Sequence, residues 1–266
     1  MSKTDYFRQP KVISNMTWLY DAHIHLSDTE YEHDIPLILN CMKKLCIKAC
    51  CVSMDYASSK KTLELGKKSE LVLPFIGIHP EKAQDDPEPV LNLINENKEK
   101  ISGIGEIGLD PTYTNSDEEL SKQEKIFRNQ LSLAEKLKKP ISIHSRKALD
   151  EILKILPSYN VPTALLHWFD GSKKQLQKVM DLDCYVSFGP VMVYSKDKQV
   201  LLSYARRDKI LVETDGPVKY SRCFNNKTAQ ISFIPSVVFC ASKVLCLSYD
   251  ELGKLLEQNS QRYLSI

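Results

Sequence analysis

Two histidines two residues apart, in Asp21-Ala-His-Ile-His25, are the first place where this chain could do chemistry. On an extended strand, residues two apart share a face. His23 and His25 at a strand's end would therefore offer two imidazoles to one divalent cation. Taken alone, the pair reads equally well as two surface or hydrogen-bonded histidines. Further candidates close other apolar runs: His79, Glu106, His144, His167 and Asp215. Of the six histidines only His33 lies elsewhere, on a polar turn. Scattered structural histidines have no reason to choose strand ends. Setting His79 aside, four imidazoles and two carboxylates exceed the needs of one tetrahedral ion. They suit two ions sharing a carboxylate and a water, an arrangement that serves phosphoryl transfer and hydrolysis. Mixed nitrogen and oxygen donors favour Zn, Mn, Fe or Co, whereas Mg is usually bound through oxygen. The identity of the ions (Mg, Mn, Zn or similar) stays open.

Elements far apart in sequence must bring these groups together. Apolar runs typical of strands cover 18–21, 47–54, 72–78, 101–106, 140–144, 163–167, 184–188 and 210–214. Helical spacing fills the gaps at 35–45, 60–70, 87–98, 117–138, 148–156, 174–180 and 198–204, and two more helices follow over 235–244 and 250–262. Near-continuous apolar strands are those buried on both faces. Strict β–α alternation implies parallel strands with right-handed crossovers. Eight such units in ~250 residues fit an α/β fold of the TIM (β/α)8 barrel type, with eight parallel strands and an extra C-terminal helix. The rival is an open doubly wound sheet. It is disfavoured because Gly103, Gly105 and Gly108 start inside the fourth strand and open no helix. In a barrel, the C-terminal ends of all strands converge on one mouth. The expected organisation is an N-terminal extension over 1–17 and one barrel domain over 18–266.

Bulk properties narrow the partners. The formal charge of +2 excludes a strongly basic coat, so any attraction for nucleic acid must come from a local patch or from metals. Paired basic residues such as Lys60-Lys61 and Lys173-Lys174 mostly fall on outer helices and read as solvated faces. The eight cysteines include no Cys-x-x-Cys, and the polar Met1–Asn15 lacks the apolar core of a secretory signal. Free thiols in a reducing compartment are expected, which means the cytoplasm, or the nucleus if the source is eukaryotic. No apolar stretch approaches the ~20 residues of a membrane span.

Six motifs carry a family resemblance. Asp21-Ala-His-Ile-His25, Gly77-Ile-His-Pro80, Gly105-Glu-Ile-Gly-Leu-Asp110, Ile143-His-Ser-Arg146, His167-Trp-Phe-Asp-Gly171 and Glu213-Thr-Asp-Gly-Pro217 resemble, in order, the motif series of the TatD-type deoxyribonucleases. That family belongs to the metal-dependent amidohydrolase-like barrels. The resemblance implies a metal-dependent phosphodiesterase, typically an exonuclease working from the 3′ end of DNA. It implies that His23, His25 and Asp215 hold one ion and His144 and His167 the other, with Glu106 bridging. Asp215 and Glu106 would be the catalytic carboxylates, Asp215 orienting the attacking water or taking its proton. His79 and Arg146 would face the phosphate, a role that suits the guanidinium fork. A salt bridge at the barrel rim is the other reading of Arg146. The segment Val218–Lys227 departs from the family's Arg-Gly-Lys-x-Asn-like sequence, and neither Arg222 nor Lys219 can be assigned to it. Trp168, Tyr113, Tyr194 and Phe224 fall near expected loops, where aromatics either stack on bases or pack the rim. The alternative activity is hydrolysis of a small cyclic amide, lactone or nucleobase. Many such relatives bridge their metals with a carboxylated lysine at the end of strand four, where this chain has Glu106. Metal affinity should fall as the histidines protonate near pH ~6.5.

Overall fold

The computed structural model describes residues 17–266. The extension expected over 1–17 therefore lies, Thr17 apart, outside the described residues. Eight parallel strands form one sheet in sequential order: β1 (Leu19–Ile24), β2 (Ile47–Val52), β3 (Val72–Ile76), β4 (Gly103–Gly108), β5 (Ile141–His144), β6 (Ala164–Leu166), β7 (Tyr185–Phe188) and β8 (Ile210–Val212). Just beyond β8 the backbone returns to β1. Asp215 N donates to His23 O at 2.9 Å and His25 N to Gly216 O at 2.8 Å. A buried carboxylate reinforces this seam: Asp21 accepts from Thr214 N (2.9 Å) and Thr214 Oγ1 (2.5 Å). The sheet thus curls into the expected barrel.

Helices α1 (Ile35–Leu45), α2 (Tyr56–Lys68), α3 (Glu88–Glu96), α4 (Asp117–Leu137), α5 (Leu149–Ile155), α6 (Lys173–Asp181) and α7 (Lys196–Tyr204) alternate with the strands. Their starts follow local chemistry. Pro36 occupies the first turn of α1, where a missing N–H costs nothing. A reciprocal capping box between Asp55 and Ser58 starts α2 at Tyr56, earlier than the apolar spacing alone indicates. After β8 the expected run of closing helices is interrupted. An antiparallel ribbon of β9 (Lys219–Tyr220) and β10 (Lys227–Thr228) precedes α8 (Ile234–Val244) and α9 (Tyr249–Leu264).

The apolar core is split by the sheet. The larger cluster lies between strands and helices. A smaller one includes Tyr20, Phe75, Leu165, Tyr185 and Leu211, joined by Tyr263 and Leu264 of α9. That extra helix lies across the N-terminal ends of the strands. Tyr263 Oη donates to Ile141 O at 3.1 Å, and Asn259 Nδ2 donates to Ile210 O at 2.8 Å. All eight cysteines are free. Among the described residues no single helix is long and apolar enough to cross a membrane.

Candidate metal centre

The six expected ligands meet at the C-terminal mouth of the barrel. Strand periodicity alone does not put them there. Tyr20 and Ala22 belong to the inner cluster, so strict alternation would turn His23 away from it. The β1–β2 register slips between Asp21 and Ile24, and the β4–β5 register slips between Ile104 and Ile107. Such irregularities re-aim side chains, and here they fall at His23 and at Glu106. Gly108 follows at φ 150°, and a Cβ there would collide with the carbonyl of His144.

Glu106 is the centre of the cluster. Its Oε2 lies 3.3 Å from His23 Nε2 and 3.3 Å from His25 Nε2. Those two nitrogens are 3.3 Å apart, and Asp215 Oδ1 is 3.6 and 3.7 Å from them. Ligands roughly 2.0–2.1 Å from a tetrahedral ion stand about 3.3 Å apart, so this set has the spacing of an ion's coordination shell. The other oxygen, Oε1, faces a second group. It lies 2.8 Å from His144 Nδ1, 2.7 Å from His167 Nε2 and 3.5 Å from His79 Nε2. At 2.7–2.8 Å these are direct hydrogen bonds, and an ion bound there would replace the ring protons.

Several buried polar groups hold the candidate ligands. Ser142 Oγ sits 2.9 Å from His23 Nδ1, leaving Nε2 for an ion. Asp110 Oδ2 lies 2.8 Å from His144 Nε2 and fixes that ring from behind. Glu213 accepts from Ser187 Oγ (2.6 Å) and Trp168 N (2.7 Å), tying β8 to the ends of β6 and β7. Two glutamines of α4 pin neighbouring loops. Gln123 binds the backbone of Asp110 and Pro80, and Gln130 binds both polar backbone atoms of Ile78. The motifs contained Asp110 and Glu213 without giving them a task. The glutamines left a usable signal, being polar positions within the apolar stripe of α4.

His79 is buried beside the cluster. Its Nδ1 accepts from Glu81 N at 3.1 Å, which puts the proton of the neutral ring on Nε2, facing Glu106. Arg146 stands at the rim, half-exposed. Its Nε donates to Asp110 Oδ2 at 2.7 Å, its Nη2 donates to Thr112 Oγ1 at 2.6 Å, and its guanidinium lies over the Tyr113 ring.

The electrostatics are those of crowded buried charge. Burial alone would raise the Glu106 carboxyl, but His79, His167, His23 and the His144 bond outweigh it and hold it well below its usual range. Burial, with the charges of Glu213 and Glu106, drives Asp215 far above its usual value despite His25. Burial lowers His23, His167 and His79, the last to about 3, so those rings are neutral ligands or donors. His144 is raised to about 9, because its bonds to Asp110 and Glu106 overcome its burial. Three carboxylates, Glu106, Glu213 and Asp215, share one buried space. That space calls for cationic charge, and His23 and His167 are already neutral donors. Burial would lower His25, but Glu106 and Asp215 raise it, as His144 is raised, and it would give up its proton to a divalent ion. The donor set therefore fits divalent metal.

Known proteins share this fold and sequence pattern. A crystal structure of a TatD homologue from Escherichia coli superposes with a TM-score of 0.85 over 93% of this chain and 98% of that one, at 20% identity, which concerns the fold. A putative deoxyribonuclease of mouse is 30% identical over 213 residues, 75% of this chain and 72% of the mouse protein. An uncharacterized metal-dependent hydrolase of Bacillus subtilis is 27% identical over 255 residues, 93% of this chain and 99% of the bacterial protein. The family model described as TatD related DNase matches residues 20–265, so this barrel is a metal-dependent hydrolase and the chain belongs to the TatD related DNase family.

Proposed function

We propose that this hydrolase cleaves phosphodiester bonds of DNA with two divalent ions, shortening strands from the 3′ end. One ion would be held by His23, His25, Glu106 and Asp215, the other by Glu106, His144 and His167. The observation that carries the reading is the division of Glu106, whose two oxygens face two separate imidazole pairs. Bound ions supply Lewis acidity and make a water nucleophilic near neutral pH. Asp215, at the edge of the first set, orients that water and receives its proton. The water oxygen attacks phosphorus, the ester P–O bond breaks, and the leaving oxygen takes up a proton. His79 offers a neutral N–H to the phosphate. Arg146 adds charge there, with the part of its fork not engaged by Asp110 and Thr112. DNA is favoured as substrate because mouse and human relatives bear the name deoxyribonuclease.

The test uses oligonucleotides labelled at either end, incubated with Mg, Mn or Zn. The expected result is a ladder receding from the 3′ end, abolished in Glu106→Ala and Asp215→Ala. Undiminished cleavage by both variants would remove the site assignment. Cutting of a circular single strand would remove the exonuclease direction.

A further inference from the structure

The mouth of the barrel is electrically divided. Exposed acids gather beyond the first four strands: Glu32 and Asp34 between β1 and α1, Asp85 and Asp86 between β3 and α3, and Asp117 opening α4. Glu30, at the seam, instead meets Lys219 of the ribbon at 3.9 Å. Exposed cations gather beyond the last four: Lys147 after β5, Lys174 in the first turn of α6, Lys196 opening α7, and Arg222 and Lys227 on the ribbon after β8. Of the acids on this second half, Asp197 stands exposed beside Lys196, whereas two others are answered locally. Asp150 meets Lys178 at 3.0 Å and Asp170 meets Lys198 at 2.6 Å. On the first half the one lysine of the β3 loop, Lys82, lies against Glu81 at 3.3 Å.

Helix stability does not explain the lysines that open α6. The N-terminus of a helix carries partial positive charge and favours acids. The first turn of α4 obeys, with Asp117, Glu118 and Glu119. The first turn of α6 has no acid and begins Lys173-Lys174. Charge and dipole there add to one another, as they do where anions are bound.

A second observation falls on the same half. Trp168, the residue after the ligand His167, is stacked on Tyr220 of the ribbon, with centroids 5.6 Å apart and 23° between planes. Phe224 lies beyond Tyr220 at 6.1 Å and stacks on Phe233 at 4.6 Å. Tyr220 is itself buried, so the faces left to a base are those of the half-buried Trp168 and Phe224. Aromatic faces beside cations suit a single strand, because every base has a face and every linkage a charge.

We infer that a single nucleic-acid strand reaches the metal cluster across the β5–β8 half of the mouth, while the β1–β4 half repels it. This rests on the DNA reading above and adds the path the strand takes. It also explains how a chain of net charge +2 attracts a polyanion: the opposite charges are sorted to opposite sides of one opening.

The test compares two charge-reversed pairs of the full chain, Lys174→Glu with Lys196→Glu, and Glu32→Lys with Asp86→Lys. The probes are a labelled single strand of about 12 nucleotides and bis(4-nitrophenyl) phosphate, both assayed with Mn. The lysine reversal should raise KM for the strand about tenfold at low salt and flatten its salt dependence by about 1.4 in log–log slope. Turnover of the small diester should stay at the wild-type level. The acid reversal should shift KM for the strand far less. Equal and opposite shifts from the two pairs would show that only overall charge matters and overturn the path. So would a lysine pair that behaves as wild type. Wild-type protein that hydrolyses the small diester but neither binds nor cuts the strand would instead overturn the DNA reading.

Discussion

At the N-terminal end of the barrel the Tyr263 ring lies 5.6 Å from Tyr185 and 6.1 Å from Phe75, whereas at the C-terminal end the His23 and His167 rings stack at 3.7 Å over a buried carboxylate. The same strands serve both ends. Leu165 and His167 are two residues apart, as are Leu211 and Glu213, so a strand passes from apolar floor to polar site within one pleat. Aromatic burial at the floor supplies favourable free energy without directional demands. The mouth does the reverse, burying acids that have no apolar compensation. One end therefore holds the sheet closed, and the other uses that rigidity to keep charged groups at fixed separations.

The comparison breaks most visibly at Glu106. Glu106→Ala removes the one group shared by both ligand sets. Activity should fall by about 10³-fold or more, and metal content by elemental analysis should drop in parallel. The thermal melt should keep its single cooperative transition, because the floor is untouched. Loss of fold along with activity would show that the two ends are not separable.

The reverse experiment is Tyr263→Ala. It empties the floor and removes the hydrogen bond to Ile141 O. A large aromatic deleted from a core costs about 3–5 kcal/mol, to be read from urea unfolding. The folded fraction should still bind metal with unchanged stoichiometry. If metal is lost while the chain remains folded, the floor positions the ligands more directly than the comparison allows.

The ends also differ in how far the sequence disclosed them. Strand and helix alternation was legible because double-sided burial makes strands apolar throughout and amphipathic helices periodic. The candidate ligands are legible because they cluster at or just beyond the ends of such runs. What stayed hidden depends on three-dimensional pairing. The slipped registers beside His23 and Glu106 leave no mark in composition. The ribbon of Lys219–Tyr220 with Lys227–Thr228 is too short to show alternation. Gln123 and Gln130 interrupt the buried face of α4, and their amides satisfy backbone groups of the loops before His79 and around Asp110. Ser142 is one hydroxyl in an apolar strand, and nothing nearby in the chain indicates the imidazole above it.

Ser142 lies at the boundary between floor and site, and it carries the smallest expected effect. When His23 Nε2 binds an ion, the ring proton must reside on Nδ1, and Ser142 Oγ, 2.9 Å away, accepts it. In Ser142→Ala that buried N–H has no acceptor. Loss of such an outer partner weakens metal binding by roughly 10–100-fold, and the lower figure is expected because His25, Glu106 and Asp215 remain. Titration with a competing chelator should show the weaker affinity, while activity at saturating metal returns to near the wild-type rate. Activity that stays low at every metal concentration would place Ser142 in the chemistry itself. Unchanged affinity would mean that packing against His167, not the hydroxyl, orients the His23 ring.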